Sequence, residues 1–128
     1  AKKTSQQENP IEGGFIIKRD GWYYLFASHD YCCRGVDSTY KIVFGRSRLV
    51  TGPYVDINNK AMLFGGGQLV RDGNSHRRWA GPGHNTVFHD DNDKWYLVYH
   101  AYDREEGGKP KLQIEEFFWD DNQWPVFD

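Results

Sequence analysis

Short apolar runs, broken at regular intervals by clusters of Gly, Asp and Asn, cover this chain, and a pattern of that kind encodes strands rather than helices. Phe15-Ile16-Ile17 leads into the turn signal Arg19-Asp20-Gly21 and then into Trp22-Tyr23-Tyr24-Leu25-Phe26-Ala27-Ser28. That order predicts a strand, a tight turn and a second strand. Alternation over Tyr40 to Ser47 predicts a third strand, Thr51-Gly52-Pro53-Tyr54 a turn, and the stretch from Tyr54 to Phe64 a weaker fourth strand. Gly65-Gly66-Gly67 opens a long loop. Strands follow again at Thr86-Val87-Phe88-His89, Lys94 to Tyr99, Lys111 to Phe118 and Trp124 to Phe127, with turns at Asp90 to Asp93 and Asp120 to Gln123. No helical stripe exceeds a turn or two.

The second half repeats the first. Trp22 aligns with Trp95, Leu25 with Val98 and Asp30 with Asp103, each 73 positions apart. A repeat built from successive antiparallel strands predicts an all-β chain of two four-stranded antiparallel blades of a β-propeller, covering about 9–64 and 81–128. Long loops at 29–39 and 65–84 account for the length of the repeat and are the places where function would sit. A closed propeller has ~4–8 blades. Two blades alone would leave an apolar sheet face open at each end, so this reading predicts a partner: the rest of a propeller or further copies of the chain. The rival fold is a small eight-stranded sandwich, which would need nothing else.

Composition narrows the function classes. Hydrophobic residues make up 38% of 128 residues and aromatic residues 16%, so a few large rings supply much of the burial, and any exposed ring could stack on a sugar. The formal net charge is −2 with no basic tract, which argues against nucleic acid. No apolar run approaches the ~18 residues of a membrane span. The polar stretch from Ala1 to Pro10 does not read as a signal peptide, and Met62 is the only methionine, which predicts processing or a segment of a longer chain. Cys32 and Cys33 are adjacent. With no distant partner they exclude a disulfide framework and are expected to be two reduced thiols in a packed loop.

The first strand of a propeller blade starts near the central channel. The repeat matches Glu12 in the first blade to Asn85 in the second, beside His84, and so predicts that Glu12, His84 and Asn85 point to a common axis. Glu12, between Ile11 and the pair Gly13-Gly14, is expected to be partly desolvated, a condition that suits a carboxyl to donating a proton; otherwise it is a solvated loop residue. Gly81-Pro82-Gly83-His84-Asn85 bends the backbone tightly and presents an imidazole, as metal ligand, substrate contact or structural histidine. Arg34, in Tyr31-Cys32-Cys33-Arg34-Gly35, is a candidate for holding a carboxylate or sugar hydroxyls, or forms a surface salt bridge. Asp30 and Asp103 lie near the same loops, whereas Asp37 and Asp90 read as turn residues.

Several segments, in order, resemble glycoside hydrolase family 43, and within it the endo-acting α-1,5-L-arabinanases. They are Ile11-Glu12-Gly13-Gly14-Phe15-Ile16, Tyr23-Tyr24-Leu25-Phe26, Cys32-Cys33-Arg34-Gly35-Val36-Asp37-Ser38-Thr39-Tyr40, Val43-Phe44-Gly45-Arg46-Ser47, Thr51-Gly52-Pro53-Tyr54, Gly65-Gly66-Gly67, Gly81-Pro82-Gly83-His84-Asn85 and Tyr99-His100-Ala101-Tyr102-Asp103. The resemblance runs from about residue 9 to the C-terminus and places the chain in the C-terminal portion of the propeller. It implies a five-bladed propeller and inverting hydrolysis of α-1,5-linked arabinofuranose. It implies Glu12 as general acid and His84 beside a calcium ion bound largely through water. Arg34, Asn85 and Asp30 are the expected substrate contacts. The polymer substrate, arabinan or arabino-oligosaccharide, implies an extracellular location. Gly14 stands where the family motif often has Pro, which affects loop stiffness. The family's catalytic base and its modulating Asp are implied to lie upstream of Ala1. Three outcomes follow: a missing propeller half supplies the base, copies of the chain rebuild the pair in a homo-oligomer through Asp30 or Asp103, or the chain is a non-catalytic carbohydrate-binding module or inactive fragment.

Overall fold

In the computed structural model, which describes residues 10–128, eight strands form two four-stranded antiparallel sheets. The first contains β1 (Ile11–Arg19), β2 (Trp22–His29), β3 (Lys41–Ser47) and β4 (Gln68–Arg71). The second contains β5 (Trp79–His89), β6 (Trp95–Asp103), β7 (Lys109–Trp119) and β8 (Pro125–Val126). In both, the order across the sheet is the order along the chain, and no strand crosses between sheets. Sequential meanders are the topology of propeller blades, whereas immunoglobulin-type sandwiches use Greek-key crossovers. No helix among the described residues is long and apolar enough to cross a membrane.

The turns form where local chemistry requires them. Asp20 and Gly21 have φ of 50° and 82°, the doubly left-handed turn that matches the twist of a two-residue hairpin. Asp90 Oδ1 accepts from the backbone N–H groups of Asn92 and Lys94, and Asp120 Oδ1 from those of Asn122 and Trp124. An Asp that binds the backbone two and four residues ahead closes the loop before any strand pairing rewards it.

Alternation along the strands then decides what is buried. On β2, Tyr24 and Phe26 face the second sheet; on β6, Trp95, Leu97, Tyr99 and Ala101 face back, and with Ile42, Phe44, Val70 and Phe117 they form one core between the two blades. A clamp closes its outer rim. The Arg46 guanidinium lies 4.0 Å from the Trp22 ring centroid and 3.7 Å from that of Trp124, and donates to the backbone carbonyl of Asn122 at 2.7 Å. The Tyr24 hydroxyl donates to the carbonyl of Gln123. The turn between β7 and β8 is thereby tied to the first sheet.

The opposite face of the first sheet is covered by its own chain. Tyr54 and Met62 pack on Ala27 and Val43. The fourth strand expected between Tyr54 and Phe64 is therefore not one. That stretch makes isolated bridges through Val55 and a 3-10 turn at Met62–Phe64, while the outer strand is Gln68–Arg71. The first sheet extends past residue 64 and the second begins before residue 81, wider than the expected 9–64 and 81–128. Asn9 lies outside the described residues.

Among the described residues, nothing covers the opposite face of the second sheet in this way. Phe88, Leu112, Ile114 and Phe118 are 58%, 68%, 63% and 54% exposed there, and Phe88 and Ile114 line a shallow apolar hollow with Thr86 and Val98.

Candidate functional site

The heads of β1 and β5 meet on one side of the molecule. Glu12 pairs across the sheet with Ser28, the Ser28 hydroxyl accepts from the His84 N–H at 2.7 Å, and His84 adopts φ of 52°. Gly13 backs onto the imidazole: a Cβ there would touch the His84 ring at 3.4 Å. Two residues from different blades are thus locked side by side by backbone geometry.

Tyr40 joins them. Its hydroxyl donates to Glu12 Oε1 at 2.9 Å and lies 3.4 Å from His84 Nδ1. The ring is 1% exposed and lies flat against the backbone of β5, where a Cβ on Gly83 would sit 1.9 Å from it. Only glycine fits at that position. Burial first, and the hydrogen bond to Glu12 second, push the phenol up to about 12, so it remains a donor at neutral pH. His100 stacks on Tyr40 at 5.8 Å between centroids, and burial, helped by His84, pushes its imidazole below the ordinary range.

The residues expected at this axis divide. Glu12 and His84 come together, and both are exposed on the open side of the site. The partial desolvation expected of Glu12 is not supplied by the described residues of this chain. Asn85 is 3% exposed, with neither side-chain amide atom hydrogen-bonded. Asp30 closes the far end of β2: its backbone N–H donates to Pro10, and Lys41 Nζ lies 3.5 Å from Oδ2. Arg34 is exposed and lies over the Tyr31 ring at 4.3 Å. Its backbone N–H donates to Ser38, which fixes the loop that leads to Tyr40.

Asp103, the repeat partner of Asp30, is fully buried. Arg78 donates to both of its carboxylate oxygens at 2.9 and 2.8 Å, and Lys111 lies 2.9 Å away. The Arg78 hydrogen bond holds this carboxyl well below the usual range, and the Lys111 contact adds to it. A carboxylate so fully engaged cannot approach a water or a substrate, so Asp103 is a structural anchor of the second blade.

The cysteine expectation needs correction. Cys32 and Cys33 are joined in a disulfide, with 3.8 Å between their Cα atoms. Cys33 adopts φ of 70° and its N–H donates to the Tyr102 hydroxyl at 2.6 Å, so the backbone is turned at the point where the adjacent sulfurs meet. Sequence reasoning also missed Tyr40 as a site residue. The signal was its place at the end of the Cys32-to-Tyr40 segment, directly before β3.

The family model for glycosyl hydrolases family 43 matches residues 1–125. The chain is 48% identical over 118 residues to the extracellular exo-alpha-(1->5)-L-arabinofuranosidase ArbA of Cellvibrio japonicus, covering 92% of this chain and 33% of that protein. It is 43% identical over 117 residues to the extracellular endo-alpha-(1->5)-L-arabinanase 1 of Bacillus subtilis, covering 91% and 34%. Among solved structures, the alpha-L-arabinanase of Cellvibrio cellulosa complexed with arabinohexaose superposes with a TM-score of 0.86 at 47% identity, over 92% of this chain and 36% of that one. The chain therefore spans about a third of the length of the relatives it matches.

Proposed function

The chain belongs to glycosyl hydrolases family 43, and from that premise we propose that it forms two blades of an inverting arabinan hydrolase that cleaves α-1,5-linked L-arabinofuranose chains outside the cell. The observation that carries this reading is the meeting of Glu12 and His84 at the head of the innermost strands of two blades. In this reading Glu12 protonates the departing glycosidic oxygen, and Asn85, Arg34 and Asp30 contribute contacts to the sugar. The printed names of the Cellvibrio and Bacillus relatives, both extracellular and both acting on α-1,5-linked arabinose, support the substrate and the location.

Inversion needs a second carboxylate, about 6.5–9.5 Å from the acid, to activate water. Asp103 is consumed by Arg78 and Lys111, and Asp30 is paired with Lys41. In this reading neither of these two carboxylates is the base, which another polypeptide or another copy of the chain supplies. The face of the second sheet around Leu112 and Ile114, uncovered among the described residues, is the natural seat for the blades that would carry it. Calcium is part of the same proposal. Among the described residues no three His, Cys, Asp or Glu side chains cluster to hold a metal, so His84 fits only an ion that keeps most of its water. Such an ion, when bound, supplies positive charge and ordered water at the axis.

The test combines the mass of the native assembly, by light scattering and intact mass spectrometry, with reducing-end release from linear arabinan. The expected result is an active assembly of the 15.0 kDa chain with a polypeptide carrying the remaining blades. An active closed oligomer of 15.0 kDa chains alone would place the base on another copy. A monomer that binds arabino-oligosaccharides without cleaving them would overturn the enzyme reading in favour of a binding module.

A further inference from the structure

Resting on the reading of Glu12 as the acid, we propose that Tyr40 is a positioning residue for it: the phenol fixes one carboxyl oxygen and leaves the other to meet the leaving group. A glutamate near the start of an edge strand and open to solvent has three rotatable side-chain bonds and no packing to select among their rotamers. Tyr40 supplies that selection. Among the described residues its hydroxyl is the one hydrogen-bond partner of the Glu12 carboxyl, at 2.9 Å to Oε1.

The phenol can select because it is itself immobile. It is clamped between the Gly83 backbone and the His100 ring, and the preceding Thr39 N–H donates to the Tyr31 carbonyl at 2.9 Å. It also couples the two blades. A hydroxyl both donates and accepts, so with the proton on His84 Nδ1 the imidazole donates to the phenol while the phenol donates to Glu12. The acid on one blade is then set by the backbone of the other, through Gly83 and His84. Reactive geometry of this kind is worth a large factor, because a displacement of about 1 Å can cost roughly 100-fold in rate.

The role can be separated from simple structural support by changing the leaving group. In a linear arabino-oligosaccharide the leaving group is a sugar hydroxyl, which departs as an alcohol and needs the proton of the acid. When 2,4-dinitrophenol is the leaving group on the same glycosyl chain, the phenolate departs without one. In the assembled enzyme, Tyr40→Phe keeps the ring and removes only the hydroxyl. The expected result is a fall in kcat of roughly 10–100-fold on the oligosaccharide, little change in KM, and near wild-type kcat on the dinitrophenyl substrate. Equal losses on both substrates, or no loss on either, overturn the proposal. An unchanged thermal unfolding midpoint confirms that Tyr40→Phe is folded; if the midpoint falls, a crystal structure of the variant with Glu12 still in its original rotamer overturns the proposal, and a displaced Glu12 supports it. Glu12→Gln measured alongside keeps the two readings apart. If it shows no dependence on the leaving group, the acid assignment itself fails, whatever Tyr40→Phe does.

Discussion

The two blades share a 73-residue repeat, yet equivalent positions do opposite things. Glu12 is exposed and held by one phenol, whereas its counterpart Asn85 is buried with its side-chain amide unbonded. Asp30 sits partly exposed beside Lys41, whereas Asp103 is enclosed by Arg78 and Lys111. The repeat preserves what a blade needs, namely alternating strands and self-capping turns. It does not preserve what a site needs. The first blade carries the exposed carboxyl, and the second supplies the rigid wall against which it is aligned.

The largest effect that sharpens this contrast is on chemistry. Glu12→Gln in the assembled enzyme should lower kcat on arabinan by roughly 10²–10⁴-fold, the usual worth of a positioned general acid, while arabino-oligosaccharide binding, read by calorimetry, is kept. Full activity in this variant would erase the functional difference between the blades.

On the second blade the expected effect is on stability. Asp103→Asn leaves Arg78 and Lys111 facing a neutral amide and should lower the unfolding midpoint clearly at neutral pH. The pH dependence has a definite sign. The folded-state pKa of Asp103 is depressed, so its contribution is fully present above the unfolded value of ~3.9 and is lost as pH falls below it toward the folded value. Wild type should therefore lose more stability than the variant on acidification below about pH 4. Parallel curves for the two proteins would show that the ion-pair network is not what anchors the second blade.

The clamp between the blades should matter less. Arg46→Ala removes the stack between Trp22 and Trp124 and the hydrogen bond to Asn122, and should cost about 1–3 kcal/mol in denaturant unfolding. Arg46→Lys should recover only part of this, because an ammonium cannot stack as a planar fork does. A cost near zero would mean that the inter-blade core holds the C-terminal turn unaided.

How far the sequence could be read follows the same division. Strands and turns were legible because they are local: Asp20-Gly21 and the Asp-Asp-Asn turns at 90 and 120 state their geometry in their residue types. The meeting of Glu12 and His84 was legible because the repeat places both at the head of a blade. The outer strand was not, since Tyr54 and Met62 look like strand residues and instead cover a sheet face, a difference decided by the distant Ala27 and Val43. The Cys32–Cys33 disulfide depends on a left-handed Cys33 that composition does not reveal. Tyr40 read only as the first residue of a strand; its ring is core, and its hydroxyl, placed by Gly83 from the other blade, meets Glu12.

The smallest expected effect tests Asn85. A buried amide with both polar atoms unpaired costs about 1–3 kcal/mol relative to one that is bonded, so removing it should relieve the fold rather than harm it. Asn85→Ala should leave the unfolding midpoint of the chain unchanged or slightly raised, despite the small cavity that is left. The same variant in the assembled enzyme should raise KM for arabino-oligosaccharides with less effect on kcat, if those amide atoms find their partners in the bound sugar or its water. A clear drop in midpoint with KM unchanged would instead make Asn85 a structural residue of the second blade, like Asp103, and would leave His84 to face the exposed carboxyl of the first blade without it.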